Sequence, residues 1–216
     1  HAEFELIAEI GVRLGAVRAI DMDDFDPDEK VIYLRHRPES TDEYGTPLKN
    51  GPDGERIVNL SDRLRDYIVS YVDQKRTDVR DKFDRNPLFT TSIGRPSTAT
   101  IRRDFYKLSR PCTYANSCPH DRDMNDCDAA QNANAADCPS RFSTHPLRKW
   151  AIMWQLNEGV PKELLSDRVD VSTPVLDKHY DQRTEEKKSK RRREVLEANL
   201  NEYAIADGGQ QIEDEE

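Results

Sequence analysis

One stretch of this sequence, residues 31–60, has the pattern of a small β-sheet, and helical patterns lie on both sides of it. Residues 31–34 are a run of β-forming side chains, which predicts a strand. Residues 46–49 and 55–60 flank the turn-forming segment NGPDG at 50–54, which predicts a β-hairpin. We therefore expect a fold that is mainly α-helical with a small three-stranded antiparallel β-sheet.

The helical patterns on either side of the sheet are amphipathic. Apolar side chains at every third or fourth position predict a helix over residues 3–10 that ends at Gly11, and residues 14–20 predict a second one. Ser61 and Ser97 each precede a further amphipathic pattern, so each is predicted to cap a helix.

The second half of the chain alternates irregular and helical patterns. Residues 88–90 predict a short strand, and residues 110–143 predict a long irregular segment of the kind that is often functional or cross-linked. Four helices are predicted after it: residues 144–157, one beginning at Pro161, one beginning at 172–174 and containing Tyr180, and a charged helix to about residue 203.

The chain is acidic, with 42 Asp and Glu against 33 Lys and Arg and a net charge of −9. Phosphate contacts need Lys and Arg, so either the protein binds no nucleic acid or local basic clusters form a binding face. The Asp-rich segment 21–29 favours a high-salt source such as a haloarchaeon or its virus, since molar salt screens charge beyond about 3 Å. No apolar run reaches the roughly 18 residues of a membrane span, so we expect a cytoplasmic protein without a membrane partner.

Five residues spread along the chain have the chemistry needed to cut and rejoin a phosphodiester without metal or ATP. Such a reaction needs a nucleophile, cationic donors for the phosphate oxygens and a general acid. Arg13 lies between two glycines, Lys49 lies at the predicted hairpin, and Tyr180 lies near the C-terminus. His145 and Arg148 are three residues apart on one predicted helix, so both can face one pocket.

This ordered set resembles the catalytic domain of the tyrosine recombinases of the phage-integrase type, over about residues 1–185. The family's first arginine corresponds to Arg13, which the Asp-rich segment follows, and its hairpin lysine corresponds to Lys49. Its His-x-x-Arg motif corresponds to His145 and Arg148, and its nucleophile to Tyr180. The resemblance therefore implies the tyrosine-recombinase catalytic-domain fold.

Two positions depart from the family pattern. The glutamate that often stands three residues after the first arginine is Ala16 here. The family's Leu-Gly-His segment corresponds to residues 165–168, LSDR, unless the alignment slips by a few residues. The resemblance thus implies that Arg168 takes the place of the family's second histidine as a phosphate donor.

The resemblance implies a site-specific DNA recombinase or integrase that works through a 3′-phosphotyrosyl intermediate. Tyr180 attacks the phosphorus, Arg13, Arg148 and Arg168 hold the nonbridging oxygens, and His145 assists proton transfer while Lys49 protonates the leaving 5′ oxygen. No cofactor takes part in the chemistry. The implied partners are double-stranded DNA and further copies of the chain in a homotetramer, with a DNA-gripping domain expected upstream of His1.

Several alternatives stay open at this point. The chain could be a catalytically silent DNA-binding regulator of a mobile element, although such a relative is expected to have lost Arg13, Arg148 or Tyr180. Lys49 could be an edge lysine that discourages strand pairing, and Tyr180 could be a core aromatic residue.

All four cysteines of the chain fall within the irregular segment 110–143. Four thiolates could bind a structural Zn²⁺, although spacings of five, eight and ten intervening residues are unlike the usual Cys-x-x-Cys. Two disulfides or four free thiols are the alternatives. The zinc hypothesis names Cys112, Cys118, Cys127 and Cys138, with His120 as a spare ligand.

We expect residues 1–185 to form the catalytic domain, with 110–143 as an insertion, and residues 186–216 to form a C-terminal helix and an acidic tail. The basic run 187–193 suits a solvated face or a nonspecific contact, or packing on a neighbouring subunit. The polar residues 207–216 predict a disordered tail.

Overall fold

The computed structural model describes residues 2–38, 45–115 and 117–206, with the backbone alone at 132, 199 and 201–206. Most regular structure in these residues is helical, and the strands form one small antiparallel sheet. This confirms the predicted fold class. The elements are α1 (Ala2–Ile10), α2 (Leu14–Ala19), β1 (Phe25–Asp26), β2 (Val31–Leu34), β3 (Arg56–Asn59), α3 (Asp62–Gln74), α4 (Thr98–Ser109), α5 (Cys112–Ala115), α6 (Thr144–Asn157), α7 (Lys162–Val169), α8 (Thr173–His179) and α9 (Glu185–Ala206).

The sheet has three antiparallel strands in the order β1-β2-β3, but one predicted strand is wrong. Residues 46–49 do not pair with residues 55–60. Thr46 forms a single bridge with Arg37, and the amide of Leu48 donates to Nδ1 of His36, 3.0 Å away. These local partners use the hydrogen-bonding groups that a strand needs, so β1 supplies the third strand instead.

The first hydrophobic core lies where α1 packs against α3 and α6. Leu6 and Ile10 of α1 are buried there together with Ile32 of β2 and Leu64 of α3. Burying each of these side chains stabilises the fold by about 1.5–3 kcal/mol. The hydroxyl of Ser61 accepts a hydrogen bond from the amide of Leu64 at 3.1 Å, which confirms the predicted cap of α3.

A second core lies among α6, α7 and α8, and Tyr180 packs at its edge. Gly11 lies where the first helix meets this second unit. Its φ of +79° is a left-handed conformation, and a Cβ there would lie 3.2 Å from Cγ1 of Ile152. Only glycine combines that conformation with so close an approach, so Gly11 fixes the residues that follow it against α6.

The Asp-rich segment 21–29 is partly internal. Asp24 is fully buried and both its oxygens accept hydrogen bonds at 2.7 Å from Arg37, while Asp21 pairs with Arg85 and Arg95. These two carboxylates therefore hold loops together by paired charges. They give no support to the high-salt interpretation, which stays a prediction.

Residues 88–90 are not a strand. Leu88 is buried, and its amide donates to the carbonyl of Ile20 at 3.0 Å. In the described residues the segment is flanked by single bridges alone, Asp21 with Pro87 and Thr91 with Gly94. The apolar run 88–90 therefore reflects burial in the first core. A short buried run cannot be distinguished from a strand by sequence pattern alone.

Helix α9 confirms the predicted charged helix after Tyr180. The predicted disordered tail, 207–216, lies outside the described residues, and the division of the chain at residue 185 stays a prediction. Among the helices that the structure describes, none is both long enough and apolar enough to cross a lipid bilayer.

Candidate functional site: a cationic cleft

Five of the six predicted site residues line one cleft of about 550 Å³. Arg13 precedes α2, Lys49 lies in the connection between β2 and β3, and His145 and Arg148 lie in the first turns of α6. Tyr180 follows the last residue of α8. The fold thus brings together groups from four separate parts of the chain.

Arg148 forms the floor of the cleft. Its side chain is buried, and its guanidinium donates hydrogen bonds to the carbonyls of Gly11 and, at 2.9 Å, of Val169. Burial, and after it the nearby positive charge of Arg13, lower the pKa of Arg148 to about 10. The group still carries its charge at neutral pH, because even this lowered pKa lies well above 7.

The phenol of Tyr180 lies against this guanidinium. Its interaction with Arg148 raises the pKa of the arginine, opposing the effect of burial. Helix α8 ends at His179, so Tyr180 caps the helix and does not lie inside it as predicted. Its amide still donates to the carbonyl of Leu176 at 3.0 Å. Its side chain packs against the second core.

The chain directly after Tyr180 is anchored by charge. The carboxylate of Asp181 is 1% exposed and pairs with Arg183 at 2.8 Å and Lys162 at 2.7 Å. The hydrogen bond from Arg183 holds the pKa of Asp181 well below its usual range. Arg183 also donates to the carbonyl of Leu156 at 2.7 Å, so this pair fastens the tyrosine segment to α6.

Arg13 lies at the mouth of the cleft and is already paired. Its guanidinium forms an ion pair with Asp170, and its side chain is about a quarter exposed. Lys49 and His145 are exposed and line the same space. Within the described parts of the chain, these two side chains form neither a hydrogen bond nor an ion pair, so both are available to a ligand.

The structure does not bring Arg168 to the cleft. Its guanidinium donates to the carbonyl of Asn59 at 2.9 Å, and its own carbonyl accepts from Nε of Arg56 at 3.0 Å. It lines a different groove, beside Trp154 and Leu164. Arg168 therefore joins α7 to β3, because residues near the end of α7 face the sheet and only the residues that follow α7 turn into the cleft.

Among the lining residues that sequence reasoning missed, three have charged or amide side chains: Asn50, Arg102 and Asp170. Asp170 takes the place expected for Arg168. It follows α7 with φ +55° and ψ +56°, a left-handed conformation that Asp and Asn adopt more readily than most residues. An Asp just beyond the end of a helical pattern was the available signal, but nothing in the sequence indicates which way its side chain points.

The cleft can bind an anion although the chain as a whole is acidic. Four cationic side chains line it, those of Arg13, Lys49, Arg102 and Arg148, against the single carboxylate of Asp170. Local charge of one sign in a concave site concentrates ligands of the opposite sign. The composition argument against nucleic acid therefore does not apply to this surface.

The cysteine-rich segment offers no metal site in its described residues. All four cysteines are reduced, and they line one cavity of only about 10 Å³ together with His120. No three His, Cys, Asp or Glu side chains in the described ranges are grouped so that they could hold a metal ion. The geometry therefore gives no support to the zinc hypothesis for Cys112, Cys118, Cys127 and Cys138.

Arg110 gives this segment its structure instead. It is buried, and its guanidinium donates to the carbonyls of Ala129, Ala130 (2.7 Å) and Gln131 (3.4 Å). Ala135 and Ala129 are buried beside it, where residues 132–137 pack on α4. One arginine and small apolar side chains thus contribute to the packing of this segment, and the zinc hypothesis stays a prediction.

Comparison with known proteins identifies the fold. No model of a known protein family matches the sequence, and no curated protein is significantly similar to it. Solved structures do match: the XerA recombinase (TM-score 0.54, 18% identity, 90% of this chain and 54% of that one) and the Tn1549 transposon integrase in complex with transposon right end DNA (TM-score 0.63, 14% identity, 92% and 58%).

The same integrase in complex with a circular intermediate DNA gives a TM-score of 0.65 at 13% identity, over 89% of this chain and 57% of that one. The chain thus spans a little over half the length of the proteins that it matches. At these identities the likeness concerns the fold, and it agrees with the helical architecture and three-stranded sheet described above. This chain has the fold found in a recombinase and a transposon integrase.

Proposed function

We propose that this protein cuts and rejoins DNA strands, with Tyr180 as the nucleophile. The observation that carries the proposal is the convergence of the phenol, two guanidinium groups, an imidazole and an ammonium group in one cleft. These residues come from distant parts of the chain, and Lys49 and His145 are exposed beside the buried Arg148. The fold neighbours, one of them solved with DNA, support the same class of reaction.

In the proposed reaction the phenolic oxygen of Tyr180 forms a bond to phosphorus as the bond from phosphorus to the 5′ oxygen breaks. The products are a 3′-phosphotyrosyl link and a free 5′ hydroxyl. Arg13 and Arg148 hold the nonbridging oxygens, since a guanidinium donates two hydrogen bonds in one plane. The buried guanidinium of Arg148 also favours the developing negative charge on the phenol, because the two groups lie together.

The two remaining groups handle protons. His145 takes the proton from Tyr180, and Lys49 donates a proton to the departing 5′ oxygen. Both lie at the open side of the cleft, where a DNA backbone enters. The 5′ hydroxyl of a second strand can then attack the phosphotyrosyl link and reverse the reaction, so the bond energy is conserved and no cofactor is needed for the chemistry.

Strand exchange also requires partners. Two double-stranded DNA molecules must be held together, and we propose that a homotetramer holds them, one subunit for each strand that is cut. Binding and synapsis belong to the whole protein, and this chain spans a little over half the length of its structural neighbours.

Covalent capture tests the proposal. The protein is incubated with a pool of nicked duplexes of random sequence, in which the cut fragment diffuses away and traps the intermediate. The expected result is a protein–DNA adduct on a denaturing gel that Tyr180→Phe abolishes and Tyr106→Phe retains. Tyr106 is a matched control because it lies on α4 outside the cleft, under the guanidinium of Arg141.

The other outcomes are equally informative. An adduct that survives Tyr180→Phe shows that a different nucleophile acts. Binding of duplex DNA without any adduct, at low and at high salt, favours the alternative of a catalytically silent DNA-binding regulator. Absence of both binding and adduct contradicts the proposed function.

A further inference from the structure

A carboxylate projects into the cleft that is proposed to bind phosphate. The side chain of Asp170 is 13% exposed, and one of its oxygens pairs with Arg13 while the other accepts a hydrogen bond from Nδ2 of Asn50 at 2.7 Å. A carboxylate beside a bound phosphate repels it, and more strongly near a protein surface than in water. A group that weakens phosphate binding in this way needs a compensating role.

The backbone directs this carboxylate to its position. Asp170 caps α7 in the left-handed conformation, and its amide donates to the carbonyl of Ser166. The chain then turns towards α8, so the side chain faces the connection between β2 and β3. Both ends of the turn at residues 50–54 lie beside this carboxylate. Asn50 donates a hydrogen bond to it, and a Cβ added at Gly54 would lie 3.6 Å from Oδ2 of Asp170.

We propose that Asp170 is a positioning residue that holds Arg13 and the Lys49-bearing turn in a fixed relation to each other. The proposal rests on the function proposed above. Asn50 directly follows Lys49, so a single carboxylate connects the first arginine of the site to the residue next to its proton donor. The proton donor Lys49 and the phosphate ligand Arg13 are thereby held at a fixed distance from each other.

The charges around Asp170 agree with this role. Arg13 lies close enough to Arg148 and to Arg56 to lower the pKa of each, after the larger effect of burial. Asp170 acts in the opposite sense on Arg56 and raises its pKa. The carboxylate thus offsets the repulsion between Arg13 and Arg56, while Tyr180 is the group that raises the pKa of Arg148.

The variant Asp170→Asn distinguishes a role of Asp170 in positioning Arg13 from a role in the stability of the fold. Asn adopts the left-handed conformation readily and keeps an oxygen for Asn50, but it lacks the charge that pairs with Arg13. We expect the rate of adduct formation to fall about 100-fold, as for a small misplacement of reacting groups. Binding of duplex DNA should stay unchanged or become tighter, because a negative charge is removed. Damage to the fold alone would instead weaken both.

A matched control and a second variant complete the design. Asp167→Asn makes the same change of charge on α7, at an exposed residue outside the cleft, and should leave the adduct rate as it is. Asn50→Ala cuts the same connection from its other end and should slow adduct formation several-fold. An adduct rate in Asp170→Asn that equals or exceeds that of the unaltered chain overturns the proposal.

Hydrogen exchange tests whether Asp170 holds this turn, independently of activity. Amides at residues 49–54 should exchange at least about 10-fold faster in Asn50→Ala than in the unaltered chain, since this variant removes the hydrogen bond to Asp170 and releases the turn. Unchanged exchange there overturns the proposal even if the adduct rate falls. If the unaltered chain forms no adduct at all, the proposed function fails, and the exchange data still show whether Asp170 holds the turn.

Discussion

The segment that carries Tyr180 and the cysteine-rich segment 110–143 are each anchored by one arginine, but against different partners. Arg183 pairs with the carboxylate of Asp181 and donates to one carbonyl of α6. Arg110 donates to several carbonyls and, among the acceptors described, to no carboxylate. The first anchor depends on a group that titrates, while the described contacts of the second are to backbone carbonyls, which do not titrate.

The two segments also differ in the kind of sequence pattern that predicted a function for them, one local and one involving distant residues. Four cysteines in one segment predict a metal because thiolates are metal ligands, and they line one small cavity, yet no three of them are placed to hold a metal ion in the described residues, so the zinc hypothesis stays a prediction. Tyr180 was predicted from a requirement of chemistry that also involves residues far away in the chain. A hypothesis that requires distant residues to lie close together is harder for a fold to satisfy by chance. In this fold five such residues line one cleft.

The largest effect is expected from Arg110→Ala. The change removes the donors for three backbone carbonyls and should destabilise the segment by on the order of 4 kcal/mol. Amides at residues 128–138 should then exchange much faster, while Cys118→Ser changes little because it replaces one atom of a partly exposed side chain. Hydrogen exchange read by mass spectrometry measures both variants.

Removal of metal is the control for this prediction. Dialysis of the unaltered chain against a strong chelator should leave the exchange of 128–138 unchanged. If the chelator accelerates exchange as much as Arg110→Ala does, a metal holds the segment, and the contrast between the two anchors is lost.

A smaller and pH-dependent effect is expected from Asp181→Asn. The pKa of Asp181 in the folded protein lies below its ordinary value of about 3.9, so its ion pairs add stability that is fully present above about pH 5. This stability is lost as the pH falls through the folded-state pKa. The variant should therefore be about 2–3 kcal/mol less stable at pH 7, with the difference shrinking below about pH 4.

Denaturant unfolding at a series of pH values measures this difference. The corresponding loss in Arg110→Ala should be the same at pH 7 and at about pH 3, since backbone carbonyls do not titrate. Equal pH dependence in the two variants would contradict the assignment of one anchor to charge and the other to backbone hydrogen bonds.

The sequence predicted the helices better than the sheet for physical reasons. Helical patterns are local: Ser61 and Ser97 cap α3 and α4 as expected, and Gly11 and Gly159 end helices with positive φ. Strand pairing is not local. β1 is only two residues long and has no pattern of its own, so nothing marked Phe25 and Asp26 as the partners of β2.

The cleft was predictable in its reactive groups and not in its supports. Arg13, Lys49, His145, Arg148 and Tyr180 follow from the chemistry of phosphodiester cleavage and from their order along the chain. Asp170 and Arg102 do not, because one is a carboxylate in an anion site and the other is an unremarkable arginine on a helix. Arg168 was placed wrongly because two residues along the end of α7 separate a side chain facing β3 from one facing the cleft.

The smallest effect concerns a guanidinium with no anchor. Arg102 on α4 lines the cleft and is exposed, and in the described residues it forms no hydrogen bond or ion pair. If it contacts a phosphate next to the one that is cut, Arg102→Gln should weaken duplex binding several-fold and reduce the slope of log affinity against log salt by about 1.

Arg103→Gln is the matched control, since Arg103 is the exposed neighbour on the same helix and does not line the cleft. Neither change should alter the free energy of unfolding, in contrast to Arg110→Ala and Asp181→Asn. An equal loss of affinity in both variants would mean that α4 attracts DNA by general charge, with the ligand of the cleft held by Arg13, Lys49 and Arg148 alone.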